Sequence, residues 1–185
     1  MKLFRQTLLG LMVISGIATA FSACDKIGLP AVNVPLTASN LAFTIPAASV
    51  AGSDSAIFTY TINLDSLILA KNSSLAASNI KSITIDTVDL VASTGNFNSI
   101  QSASLDFTSL SLPGTVTSIV TNYTVSGTPG TSLQLPVNST VNLQSYIAAG
   151  NVDTYFTFKL HATLSGASPL INGLATVHFV VQASL

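Results

Sequence analysis

The chain has 185 residues and a formal net charge of −1, and only 7% of its residues are charged, against about a quarter in ordinary soluble domains. The near-neutral charge excludes the basic face that nucleic-acid binding requires, and a hydrophobic fraction of 48% excludes charge-driven disorder. Ser and Thr, 46 residues together, take the place of the missing charges, and the length allows a single domain.

The first 23 residues have the pattern of a secretory signal peptide. Lys2 and Arg5 precede a largely apolar run of 15 residues, positions 7–21. This run is shorter than the ~20 residues that cross a bilayer, and small residues follow it. We therefore expect residues 1–23 to be removed and the rest of the chain to be exported.

The residues Phe21-Ser22-Ala23-Cys24 resemble the lipobox of bacterial lipoproteins, in which the cysteine becomes the new amino terminus and carries lipid. Phe21 stands where that pattern usually has Leu, whereas Ser22 and Ala23 fit it. Cys24 is the only cysteine, so it has no partner for an internal disulfide. The resemblance implies attachment to a membrane through lipidated Cys24. The alternative is a plain signal peptide cleaved after Ala20 or Ala23.

The lipoprotein resemblance divides the chain into three parts. After the signal peptide, residues 24–33 are expected to form the lipidated cysteine and a short tether, and residues 34–185 the folded domain. Asp25 resembles an inner-membrane retention signal of some Gram-negative bacteria, although acidic residues near the anchor accompany export to the cell surface in others. We expect the outer membrane, on its periplasmic face or at the cell surface, rather than the inner membrane.

From about residue 34 onward, apolar residues alternate with Thr, Ser and Asn, which is the period of a β-strand. The alternating apolar positions are Phe58, Tyr60, Ile62, Leu64, Ile83, Ile85, Val88, Leu90, Leu105, Phe107, Leu110, Leu112, Ile119, Tyr123, Val125, Phe156, Phe158, Leu160, Ala162, Leu164, Ala175, Val177, Phe179, Val181 and Ala183. The alternation shifts by one residue near Asp86 and Thr87, which predicts a β-bulge there.

Segments rich in Gly, Pro and Asn separate these runs, and helical periodicity is absent apart from a short helical turn expected at 74–78. This pattern predicts an all-β, antiparallel β-sandwich. The mature chain resembles the immunoglobulin-like sandwiches that are common in envelope lipoproteins, and the resemblance implies an immunoglobulin-like strand arrangement.

The last two runs suggest a hairpin centred on Pro169 and Leu170, which would place His161 opposite His178 on the outer face of the sheet. Imidazoles bind metals, but zinc sites need three or four protein ligands, and the neighbouring positions offer no good third ligand. We therefore interpret both histidines as solvent-facing and keep His161 and His178 only as weak candidate metal ligands.

The sequence contains neither a glycine-rich phosphate loop nor a G-x-S-x-G nucleophile motif, and it predicts no cofactor. Three Asp-[Ser/Thr]-apolar segments resemble the O-glycosylation motif found on exported proteins of some Gram-negative bacteria. They mark Ser55, Ser66 and Thr87 as candidate O-glycosylation sites.

Together these features predict a lipid-anchored, non-catalytic envelope lipoprotein that acts as an interaction or structural module, with the membrane and an unidentified protein or glycan as partners. One alternative is a surface adhesin or pilus-type subunit that assembles by strand addition. Lipoprotein pilins are often cut at an Arg to free an edge, and no Arg follows Cys24. The other alternative is a small hydrolase that uses His161 or His178.

Overall fold

The computed structural model describes residues 31–62, 79–109, 115–146 and 154–184. This part of the chain contains eight strands, followed here in chain order: β1 (Ala31–Ile45), β2 (Gly52–Ile62), β3 (Ile80–Thr94), β4 (Ile100–Ser109), β5 (Thr117–Thr124), β6 (Ser132–Pro136), β7 (Thr154–Leu164) and β8 (Ile171–Ser184). A 3₁₀ turn at Gln144–Tyr146 lies between β6 and β7.

The strands form two four-stranded antiparallel sheets. Sheet I has the order β1-β8-β3-β6, and sheet II has the order β2-β7-β4-β5. The first strand pairs with the eighth, the second with the seventh, the third with the sixth and the fourth with the fifth. The chain is therefore a long antiparallel hairpin that is rolled up into two layers, which is the arrangement of a jelly roll.

This topology confirms the predicted antiparallel β-sandwich. It differs from the immunoglobulin arrangement that the lipoprotein resemblance implied, in which the sheets follow the order ABED and CFG. The difference lies in strand order, which the alternation of apolar residues does not determine, because either arrangement buries one face of every strand.

The inward-facing positions agree with the alternation wherever the structure describes the side chain. The predicted residues in β3, β4, β7 and β8 are buried, as are Phe58 and Ile119, while Tyr123 and Val125 pack at the margin of the core. Side chains at Tyr60 and Ile62 lie outside the described part of the chain, and so do Leu64, Leu110, Leu112 and the turn expected at 74–78.

Phenylalanine rings link the two sheets through the core. Neighbouring ring centroids lie 5.0–6.4 Å apart. In order of contact, the chain of rings is Phe97, Phe43, Phe58, Phe158, Phe107, Phe156 and Phe179. It passes from sheet I to sheet II between Phe43 and Phe58 and returns between Phe156 and Phe179. Such pairs add about 0.5–1.5 kcal/mol each beyond the burial of their area.

The predicted bulge in β3 is confirmed. Ile85 pairs with Phe179 and Thr87 with His178, so Asp86 is the extra residue. A second bulge lies in β1 between Ala38 and Leu41, where Asn40 has a φ of 61°. Asn tolerates this left-handed conformation better than most residues do.

The predicted hairpin of the last two runs is wrong. β7 pairs with β2 and β4 in sheet II, whereas β8 pairs with β1 and β3 in sheet I. The segment between them crosses from one sheet to the other, and Ser168 forms a bridge with Ala48 on the way. The alternation of apolar residues is compatible with every pairing that keeps the apolar residues of both strands on the same face of the sheet. It therefore does not identify which strand is the partner.

The structure also contains strands that the alternation did not indicate. β1 begins at Ala31, so three residues of the expected tether belong to the sheet. β6 has only five residues, and the chain continues alongside β3 after it ends. There Asn142 Oδ1 accepts a hydrogen bond from the Ile83 N–H at 3.0 Å, and the Leu143 N–H donates to the Ile83 carbonyl at 2.7 Å. Among the residues that the structure describes, none belongs to a helix that could span a bilayer.

Gly173 provides a test of how closely the sandwich is packed. A Cβ at this position would lie 2.5 Å from the Val91 carbonyl oxygen and 2.6 Å from Phe43 Cζ. We expect Gly173→Ala to lower the free energy of unfolding by about 1–3 kcal/mol because the buried backbone has to shift. Urea denaturation measures this loss.

Gly166→Ala is the matched control, because nothing lies within 4 Å of the added Cβ. It should change the free energy of unfolding by less than about 0.5 kcal/mol. Equal effects of the two substitutions would contradict the close packing of β8 against Val91 and Phe43.

Candidate interaction surface

The outer face of sheet I carries a line of hydrogen-bonding side chains that crosses all four strands. Thr37 Oγ1 lies 3.4 Å from His178 Nδ1, and His178 Nε2 lies 3.2 Å from Asp89 Oδ2. Gln134 Nε2 donates to the other carboxylate oxygen of Asp89, Oδ1, at 3.0 Å. We call Thr37, His178, Asp89 and Gln134 the polar line.

The polar line exists because the β3 bulge sets the register. After the bulge, Thr87 faces His178 and Asp89 faces Thr176 on one side and Gln134 on the other. The His178 and Asp89 side chains are 39% and 36% exposed. An ion pair this accessible contributes about 0–1 kcal/mol to stability when the imidazole is protonated. Its main consequence is to hold polar groups in place on an open surface.

A second row of side chains runs beside the polar line. Leu174 pairs with Val91 on β3 and with Ala42 on β1, and these three residues form what we call the aliphatic row. Leu174 and Val91 are 43% and 52% exposed. The outer face of sheet I therefore places a small apolar strip next to a fixed set of hydrogen-bond donors and acceptors.

The outer face of sheet II carries the other histidine. His161 Nε2 lies 3.2 Å from Asp106 Oδ2, and the two side chains are 42% and 26% exposed. In the strand register Ser55 and Ser104 lie on either side of His161. Ser, His and Asp are the residue types of hydrolytic triads, but among the described residues no hydrogen bond joins Ser55 to His161.

The two histidines do not meet. His178 belongs to β8 in sheet I and His161 to β7 in sheet II, so the cross-strand pair of imidazoles that the hairpin implied does not form. Within the described part of the chain, no three His, Cys, Asp or Glu side chains are grouped so that they could hold a metal ion. Each histidine has an aspartate on a neighbouring strand as its partner instead.

The candidate modification sites differ in their surroundings. Ser55 is half-buried on β2, an edge strand of sheet II, whereas Thr87 is half-buried on β3, an internal strand between β8 and β6. Ser66 and the candidate lipidation site Cys24 lie outside the described residues.

Sequence reasoning did not identify Asp89, Asp106 or Gln134 as members of a site. They are identified by strand pairing. Each of them contacts a histidine or a carboxylate on a neighbouring strand that is distant in sequence. The extra residue at Asp86 gave a partial signal, since it moves Asp89 into register with Thr176.

No family model and no curated protein matches this chain. Solved structures give distant similarities. A structure of the Gx strain of infectious bursal disease virus has a TM-score of 0.37 at 12% identity, and the match covers 85% of this chain and 37% of the viral chain. Latent PorU from Porphyromonas gingivalis has a TM-score of 0.36 at 10% identity, and the match covers 86% of this chain and 13% of the PorU chain. A carbohydrate-binding module of the β-sandwich superfamily has a TM-score of 0.32 at 10% identity, and the match covers 85% of this chain and 56% of the chain that contains the module.

The aliphatic row is expected to be dispensable for folding. Val91→Thr replaces an exposed methyl with a hydroxyl and should change the free energy of unfolding by less than about 0.5 kcal/mol. The same substitution three residues earlier, Val88→Thr, places a hydroxyl at a fully buried position and should cost about 1–3 kcal/mol. Urea denaturation distinguishes the two. A comparable loss at both positions would show that Val91 supports the fold.

Proposed function

We propose that this protein is a lipid-anchored, non-catalytic envelope lipoprotein that binds its partner through the outer face of sheet I. The observation that carries the anchoring is the sequence Phe21-Ser22-Ala23-Cys24, which puts the only cysteine directly after a signal-peptide pattern. Two or three acyl chains on Cys24 would give firm attachment, because each buried methylene contributes about 0.8 kcal/mol.

The short distance between the anchor and the sandwich supports a role at the membrane. Six residues separate Cys24 from β1, which begins at Ala31. At full extension they reach only about 20 Å. A domain on so short a tether stays close to the membrane, and the tether raises its effective concentration for partners that are also there.

The surface of sheet I supports binding rather than catalysis. The polar line and the aliphatic row lie on an open strand face, where their groups are accessible to a large partner. Neutral donors and acceptors predominate, since Asp89 is already paired with His178 and Gln134. Such a face suits an uncharged, hydrogen-bonding partner, which fits the expected protein or glycan.

Labelling with a radioactive fatty acid tests the anchor. The wild-type chain is expected to incorporate label, and Cys24→Ser to incorporate none, because no other thiol is available. Ser22→Ala is the matched control and should retain the label. Mass spectrometry that finds an unmodified thiol at the amino terminus of the native protein would refute the anchor, and protease digestion of intact cells reports the side on which the domain lies.

Photo-crosslinking in intact cells tests the binding face. A photoreactive phenylalanine analogue at position 174, in place of Leu174, should form adducts with the partner. The same analogue in place of Val116 serves as the control, because Val116 is also exposed, at 61%, but directly precedes β5 of sheet II. Adducts of equal yield at both positions, or at neither, would contradict the assignment of the face. The mass of the adduct distinguishes a protein from a glycan.

A further inference from the structure

Three of the four edge strands in the described sheets carry features that hinder pairing with another strand. β1 contains Pro35 and the bulge at Asn40. β6 has five residues and ends at Pro136. β5 has two register shifts against β4, and Asn122 has a φ of 42°. Proline, bulges and short length are the usual ways in which edge strands avoid association.

β2 differs from these three edges. It pairs with β7 over all eleven of its residues without a register shift. It contains no Pro, Lys or Arg, and its central residue, Ile57, is 59% exposed on the outer face of sheet II. Asp54 is the one charge, and it accepts a hydrogen bond from the Ser55 N–H at 2.7 Å.

The Asp54 contact shows which backbone groups lie on the free edge. Because the Ser55 N–H bonds to a side chain of its own strand, it points away from β7. In an antiparallel pair, N–H and C=O groups of alternate residues point to the same side. The backbone groups of Ile57 and Thr59 therefore lie on the same free edge as those of Ser55.

We propose that β2 pairs with β2 of a second copy of this chain, antiparallel and centred on Ile57, to form a two-fold dimer with a continuous eight-stranded sheet. The outer face of β2 is symmetric in residue type about this centre. Ile57 would face its own counterpart, and Ser55 would face Thr59 of the other copy. In this register the Ser55 N–H exchanges its bond to the Asp54 carboxylate for one to the Thr59 carbonyl of the other copy. Hydroxyl pairs and β-branched pairs are favourable cross-strand neighbours.

The charges of β2 fit the same register. Each Asp54 lies three residues from the centre, so the two carboxylates are six residues, about 20 Å, apart along the paired strands. No like charges face each other. The two-fold arrangement also closes on itself, since each copy uses β2, the one edge of the described sheets without such obstacles. Head-to-tail addition would require a second open edge on sheet II.

Disulfide crosslinking in the native membrane tests this register. Residues that face each other in an antiparallel pair have Cα atoms about 4.5–5.5 Å apart, within the range that a disulfide spans. Full-length Ile57→Cys, treated with a mild oxidant, is expected to give a severalfold excess of crosslinked dimer over Thr121→Cys. Thr121 is exposed on β5, the opposite edge of sheet II. Wild-type protein reports any crosslink through Cys24.

Coexpression of two cysteine variants tests the register of the β2 pair more closely. Ser55→Cys and Thr59→Cys should crosslink when they are expressed together and only weakly when expressed alone, because positions 55 and 59 face each other across the two-fold axis. Ile57→Lys should convert the detergent-solubilised dimer to a monomer without loss of sheet content by circular dichroism. Absence of the Ile57→Cys dimer, or equal crosslinking at Ile57 and Thr121, would overturn the proposal, whatever the outcome of the lipid labelling.

Discussion

The fold depends on one continuous chain of contacting phenylalanine rings between the two sheets. All seven phenylalanines that follow Cys24 belong to it, and it crosses between the sheets twice. With only 7% charged residues the surface offers few ion pairs, so burial of this interior supplies most of the stability. The buried aliphatic side chains of β3, β5 and β6 pack into the same core. Rings and aliphatic side chains together determine which face of each strand is inside, and so which polar residues form the outer faces.

Those outer faces are therefore consequences of the core. His178 and His161 each lie beside a buried residue of the same strand, Phe179 and Leu160 respectively, and therefore face outward. Each histidine finds an aspartate on the next strand, Asp89 or Asp106. The two faces are not equivalent, however. The line on sheet I extends through Thr37 and Gln134 to both edges and has the aliphatic row beside it, whereas Lys159, next to Asp106, makes the centre of sheet II more charged.

The sequence was sufficient to predict the sandwich, the buried positions and the β3 bulge, because all three follow from the local period of apolar residues. It was not sufficient for strand order. The hairpin of β7 and β8 was wrong although its register aligned Leu160 with Phe179, since alternation is compatible with any partner of the same parity. The Asp–His pairs were missed for the same reason: Asp89 and His178 are neighbours only once β3 and β8 are known to pair.

Edge position connects the proposed dimer with the candidate O-glycosylation site at Ser55. Ser55 lies on the free edge of β2 and two residues from Ile57, whereas Thr87 lies between β8 and β6 in the interior of sheet I. A glycan on Ser55 would occupy the space that a second β2 needs, and a paired β2 would bury the Ser55 hydroxyl. The two uses of this edge exclude each other. Modification of Ser55 before assembly would therefore keep the chain monomeric, just as prolines, bulges and short length hinder pairing at the other three edges.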